Sequence, residues 1–287
     1  AQQQIITKTQ KGDLFDNKER LEEVKNLSTQ HRFFHNQLEF IEVFKERGGF
    51  DLIVGNPPWV NIEFDEPGII GEMYPNVLIR KISAPEVKKT LDLYLMRYKE
   101  TYLNEYLSVE GSKSYLSAHQ NYPLQMGQKN NLYKCVIESG FNLISNKGFM
   151  GLLHPESVYN DPKGQKIRKA IYERLVYHFQ FQNAFNLFAD VAHREKYSTN
   201  VYSGEPGDIN FQTINNLFHP STVDGCFSDS GFGICDGIKI KDKHAGKYIW
   251  NTKPHRSRLV KIGQVELENI AITFDGNDEY STTKLVS

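Results

Sequence analysis

The chain has 287 residues, with 34 Lys and Arg against 35 Asp and Glu, and a formal net charge of −1. That balance gives no chain-wide attraction to a polyanion, so a nucleic-acid partner would have to be met by a local basic patch. No apolar run approaches the roughly 18 residues a transmembrane helix needs, and Ala1-Gln2-Gln3-Gln4 lacks the basic and apolar regions of a signal peptide. The first residue is not Met, as expected of a fragment or a processed chain. Cys135, Cys226 and Cys235 form no Cys-x-x-Cys pair, which argues against a disulfide framework and for an intracellular, cytoplasmic setting. Hydrophobic residues make up 39% of the chain, enough for a sizeable core.

Residues 17–27 mix charges at helical spacing and predict an exposed helix. An aromatic and apolar stretch follows, from Phe33 to Phe44. Phe50-Asp51-Leu52-Ile53-Val54-Gly55 is short, apolar and closed by glycine, which predicts a buried strand. Residues 61–85 carry scattered Pro and Gly and read as a long loop. Val87, Leu91, Leu95, Tyr98 and Tyr102 recur at helical spacing, predicting a helix from Pro85 to Leu107 with a polar loop from about Glu110 to Asn130. A core helix is expected over Leu132–Ile144, then a strand over Gly148–Leu153 ending at His154-Pro155. Asn160-Asp161-Pro162 starts another helix, with Ile167, Ile171 and Leu175 as its apolar stripe. Val176–Phe181 and Tyr197–Tyr202 are later strands. Helices alternating with short strands predict an α/β domain with a mostly parallel sheet. After Gly204, Gly, Asp and Ser rise, which sets a boundary between a catalytic domain over 1–203 and a connector over 204–287.

The chemistry is carried by Asn56-Pro57-Pro58-Trp59, directly after the predicted strand. Ligand sites of open α/β sheets lie at the carboxyl ends of strands. An aromatic amino group is a poor nucleophile, because its lone pair is delocalised into the ring. The amide oxygen of Asn56 and the carbonyl of Pro57 can each accept one of its N–H groups and so localise that pair. The two prolines hold the loop rigid, a preorganisation that lowers a charge-developing barrier. Trp59 offers a ring on which a base flipped out of a duplex can stack.

The stretch from Gly49 to Val60 resembles motif IV of the amino-methyltransferases. Phe34-His35-Asn36-Gln37-Leu38-Glu39-Phe40-Ile41-Glu42-Val43-Phe44 is similar to a segment of adenine-specific (N6) DNA methyltransferases of the type IIG restriction-modification and phage-exclusion class. Asn131-Leu132-Tyr133-Lys134 and Gly148–Pro155 also resemble that family, so the likeness covers about residues 33–203. The resemblance implies a Rossmann-like class I methyltransferase fold, S-adenosylmethionine as cofactor and double-stranded DNA as substrate. It also implies a phenylalanine against the far face of the flipped base. Phe188 in Asn186-Leu187-Phe188-Ala189-Asp190-Val191 resembles it, and a plain core phenylalanine is an equal reading.

One departure matters. The family's glycine-rich cofactor loop precedes the catalytic motif, and no such match lies upstream of Asn56. The chain is therefore expected to be the C-terminal, target-base half of the fold, partnered by a missing N-terminal segment that binds the cofactor. Ser230-Gly231-Phe232-Gly233 lacks a following helix, and Gly12-Asp13-Leu14-Phe15 reads as a turn or as an acidic contact to the cofactor adenine. Asp13 with Glu23-Val24-Lys25 has the bare residue types of a nuclease, but Glu23 sits in a charged helical run. No His-x-x-x-His or Cys-x-x-Cys spacing points to a metal. His193-Arg194-Glu195-Lys196 and Lys253-Pro254-His255-Arg256-Ser257-Arg258 are exposed loops or contacts to a DNA backbone. Methylation of a planar nitrogen in RNA or protein, and a non-catalytic DNA-binding or scaffold fragment, remain as alternatives.

Overall fold

The computed structural model describes residues 18–80, 83–129, 131–242 and 246–285. Ala1–Gln4 and Gly12–Phe15, including the Asp13 of the nuclease reading, lie outside them. The chain divides between Arg47 and Gly48.

Among its described residues the first unit holds three helices, α1 (Lys18–His31), α2 (Asn36–Glu39) and α3 (Ile41–Arg47). Residues 19–31 are exposed throughout, the solvated face that the mixed charges of α1 predict. Phe34 and Phe40 meet edge to face at 6.2 Å.

The second unit is mixed α/β. Its elements run β1 (Phe50–Gly55), α4 (Glu66–Met73), α5 (Asn76–Ile79), α6 (Ala84–Ser117), α7 (Leu132–Leu143), β2 (Ile144–Pro155), α8 (Ser157–Asn160), α9 (Gln165–Tyr172), β3 (Leu175–Gln182), β4 (Lys196–Ser203), β5 (Asn210–Leu217), α10 (Ser221–Ser228), β6 (Lys239–Lys241), β7 (Tyr248–Trp250), β8 (Val260–Gly263) and α11 (Gln264–Ile270). Six strands form one sheet in the order β1-β2-β4-β3-β5-β8, and β6 pairs with β7 apart from it. β1 lies parallel to β2 and β3 parallel to β5, while β4 and β8 run antiparallel to their neighbours. The parallel direction therefore prevails, with β4 and β8 opposed to it.

The main core lies where α7 and α9 pack on one face of this sheet. Tyr133 and Ile137 from α7, and Ile167, Ile171 and Tyr172 from α9, are fully buried against Met150, Leu152 and Tyr202. The helical spacing of Ile167 and Ile171 accounts for that face; Leu175, read as its third member, opens β3 instead.

Several expectations are corrected. β1 is not a buried strand: Ile53 packs into the core, but Leu52 and Val54 are 65% and 75% exposed on the opposite face. It is an edge strand among the described residues, and alternation sends every second side chain to an uncovered side. The loop expected over 61–85 contains α4 and α5. Asp65 caps α4 by accepting from the Gly68 N–H at 3.1 Å, and Pro67 sits in the first turn, where its missing N–H costs nothing. α6 continues ten residues past Leu107 to Ser117, although its backbone departs from helical geometry at Tyr98. β5 and β8, which lie beyond residue 203, belong to the same sheet as β1 to β4.

No described helix is long and apolar enough to cross a membrane. Among the described residues, no group of three or more His, Cys, Asp and Glu is placed to hold a metal ion.

Candidate functional site

β1 aims the chain at the site. Val54 and Gly55 register with Gly151 and Leu152 of β2, so the following Asn56-Pro57-Pro58-Trp59 leaves the sheet at the carboxyl ends of two parallel strands. Beyond Trp59 the chain is pinned to the start of α7. The Leu132 N–H donates to the Val60 carbonyl at 3.0 Å, and the Asn131 side chain donates to Asn61 Oδ1 at 3.0 Å. Asn131 also caps α7 by accepting from the Tyr133 N–H. The tetrad is thus fixed at both ends, by a strand ladder before it and a helix N-terminus after it.

Pro57 is buried, Asn56 and Pro58 are exposed, and Trp59 is half-buried. The Trp59 indole N–H donates to the Leu153 carbonyl at 3.3 Å. Its ring packs against both sheet-core clusters, which leaves it little freedom to turn.

The opposite wall comes from the connection between β3 and β4. Asn56, Pro57, Pro58 and Trp59 line an open pocket of about 300 Å³ together with Phe188, Ala189, Asp190 and Val191. The five candidate site residues of the sequence therefore share one pocket, although Phe188 is far from the others along the chain. Their rings are in contact: the Trp59 and Phe188 centroids are 5.7 Å apart at 54°. Tyr197 closes the group, 5.8 Å from Trp59 and edge-on to Phe188 at 5.0 Å. A base held between two parallel rings needs about twice the 3.4 Å stacking distance. The rings thus face one pocket without a base-sized gap between them.

Tyr197 is buried behind these two rings without lining the pocket, and sequence reasoning missed it because an aromatic in a strand pattern carries no sign of which rings it backs. Burial pushes its phenol pKa up, so it stays a neutral apolar surface at neutral pH. Asp190 is the one carboxylate of the pocket wall. Beneath the strand ends, buried Glu156 takes a 3.1 Å contact from His178 and a 2.8 Å bond from Gln180. Burial alone would push the Glu156 carboxyl up; the His178 ring beside it and these donors outweigh that and hold it below its ordinary value.

The remaining candidates stand elsewhere in roles of their own. Residues 193–195 are exposed, and the Glu195 carbonyl accepts from the Asn183 N–H at 3.1 Å. In the basic stretch, Arg256 bonds the Phe227 carbonyl, and Arg258 bonds those of Lys253 and Asn216. Both guanidinium groups thus tie backbone segments together. Ser230–Gly233 lies in irregular structure with Phe232 89% exposed. It joins no strand to a helix N-terminus, the arrangement in which backbone amides cradle a nucleotide-like ligand. That loop therefore offers no cradle of this kind for S-adenosylmethionine.

Residues 2–105 match the family model described as Eco57I restriction-modification methylase. No curated protein sequence matches the chain. Solved structures with likeness to it include a type I restriction-modification methyltransferase subunit from Streptococcus thermophilus, with 11% identity and a TM-score of 0.32 over 60% of this chain. Another is a modification subunit of a putative type I restriction enzyme from Vibrio vulnificus YJ016, with 12% identity and a TM-score of 0.36 over 70% of this chain. A third is the type IIG restriction endonuclease BpuSI, with 13% identity and a TM-score of 0.37 over 76% of this chain. The matched part spans only 27%, 37% and 20% of those three chains.

Proposed function

We propose that this chain is the target-base half of an adenine-N6 DNA methyltransferase of a restriction-modification or phage-defence system, with Rossmann-like class I architecture. The observation that carries the reading is the meeting of Asn56-Pro57-Pro58-Trp59 and Phe188 in one pocket at the carboxyl end of β1. The family match over residues 2–105, which includes the tetrad, supports it.

In this reading Asn56 Oδ1 and the Pro57 carbonyl each accept one N–H of the adenine amino group. The nitrogen becomes pyramidal, and its lone pair is withdrawn from the ring and made available as a nucleophile. Neither acceptor needs to ionise, so this positioning holds across neutral pH. Pro57 is buried, its φ is fixed by its ring and its ψ is confined by the following Pro58, so the carbonyl is set before the substrate arrives. Trp59 stacks on one face of the flipped base, and Phe188 closes the other once its side chain swings off Trp59 about its fixed backbone. S-adenosylmethionine supplies the methyl group in such enzymes; we assign its binding to a segment outside the described residues.

The test is Asn56→Ala in the full-length enzyme. Loss of one preorganised contact costs about 3–4 kcal/mol in the barrier, a fall of roughly two to three orders of magnitude in methylation, with DNA affinity nearly unchanged. A methylation rate within a few-fold of wild type would remove Asn56 from the mechanism.

A further inference from the structure

We propose that Asn183 is the positioning residue of the pocket, fixing through its side-chain amide the loop that presents Phe188. The inference rests on the reading of that pocket as the target-base site. The connection between β3 and β4 contains no regular element, so no ladder of its own holds Phe188 in place. Asn183 is fully buried at its start. Its Oδ1 accepts from the Phe188 N–H at 3.1 Å. Its Nδ2 donates to the Phe188 carbonyl at 2.8 Å and to the Val191 carbonyl at 2.6 Å.

Both amide hydrogens and the amide oxygen are thereby engaged, and the opposite orientation of the amide would set donor against donor and acceptor against acceptor. The main chain of the same residue completes the staple. Its N–H donates to the Glu195 carbonyl at 3.1 Å, and its carbonyl accepts from Asn186 at 3.0 Å. Asn186 takes a left-handed φ of 54°, which turns the chain back toward Asn183. One buried residue thus grips the loop at its start, middle and end. Its side-chain bonds finish on Phe188 and Val191, two residues of the pocket wall. Held on both sides of its peptide unit, Phe188 places its ring against Trp59 and Tyr197.

The chain has two tryptophans, Trp59 and Trp250. Trp250→Phe leaves Trp59 as the one indole reporter, in direct contact with Phe188. In that background Asn183→Ala is expected to retain a cooperative melt while acrylamide quenching of Trp59 rises roughly twofold as the loop opens locally. Asn183→Asp keeps the acceptor for the Phe188 N–H but turns a carboxylate toward two carbonyls. Its quenching is expected to be raised at neutral pH and to return toward wild type as acidification protonates the buried acid, restoring one donor. In the full-length enzyme, Asn183→Ala is expected to lower kcat about 10- to 100-fold, with DNA affinity unchanged, as a misplaced wall predicts. Unchanged Trp59 quenching in Asn183→Ala overturns the proposal. If that variant does not fold, a pH-independent signal in Asn183→Asp overturns it equally. A wild-type full-length enzyme that fails to methylate DNA overturns the base-site reading, and the quenching result is independent of it.

Discussion

Acidification should destabilise this fold through His154, next to the carbonyl that holds Trp59. The ring is fully buried, stacked on Tyr133 at 5.4 Å, with the Tyr202 ring nearly parallel to it at 6.4 Å and meeting it edge to edge. Nδ1 lies 2.9 Å from the Pro155 carbonyl and so carries the hydrogen. Nε2 then accepts from the Tyr202 hydroxyl at 2.7 Å and the Asn200 amide at 2.9 Å. A second proton would turn Nε2 into a donor facing donors. Burial lowers the pKa from 6.5 to about 4; the Pro155 carbonyl and Glu156 oppose that shift and His178 adds to it. Between those values the unfolded chain binds a proton that the folded chain refuses. Stability is therefore full above 6.5 and is lost as the pH falls toward 4. The difference of 2.5 (6.5 − 4) corresponds to roughly 3 kcal/mol over the whole window. Glu156, whose folded pKa is also lowered, adds its loss only below its ordinary 4.5, so the upper part of the window isolates His154. Urea unfolding followed from neutral pH to about pH 5 should show wild type losing about 2 kcal/mol and His154→Gln far less. A wild-type stability flat across that range, or an equal loss in the variant, would refute the reasoning.

Trp59 variants should separate ring from hydrogen bond. Trp59→Phe retains stacking and loses only the bond to Leu153, whereas Trp59→Ala should lower methylation by the roughly 5- to 150-fold that about 1–3 kcal/mol of base stacking represents; equal activity of the two would deny the stacking role. Gly49 precedes β1 at φ 156°, and a Cβ there would stand 2.5 Å from the Leu143 carbonyl. Gly49→Ala should therefore cost roughly 2–3 kcal/mol of stability, and a denaturation midpoint equal to wild type would contradict the close approach of β1 to β2. Calorimetric titration of this chain alone with S-adenosylmethionine should show no saturable heat. One-to-one binding in the micromolar range would mean that it carries a cofactor site of its own.

The local elements around the tetrad were more legible in the sequence than what surrounds them. A strand of apolar residues ending in glycine, followed by Asn-Pro-Pro-Trp, was legible because each feature is local. So was α7, whose Asn131 cap precedes an apolar stripe. The length of α6 was not, since Ser108, Gly111 and Ser112 are poor helix formers that the helix accommodates. β5 was missed for a related reason: Asn210, Gln212, Asn215 and Asn216 give it a polar face and hide the alternation of a buried strand. The exposure of β1 could not be read from its composition, because an apolar edge strand and an apolar central strand look alike. Tyr197 and Asn183 escaped because their roles depend on contacts set by the pairing of β3 with β4.

The central claim is that this pocket acts on the amino group of adenine in DNA. The most direct measurement is nucleoside analysis by mass spectrometry of DNA from cells expressing the full-length enzyme, beside its Asn56→Ala variant. N6-methyladenine is expected to rise above the background of the host with wild type and to return to that background with the variant. No methylated adenine with wild type, methylation of cytosine instead, or equal N6-methyladenine with both proteins would contradict the account.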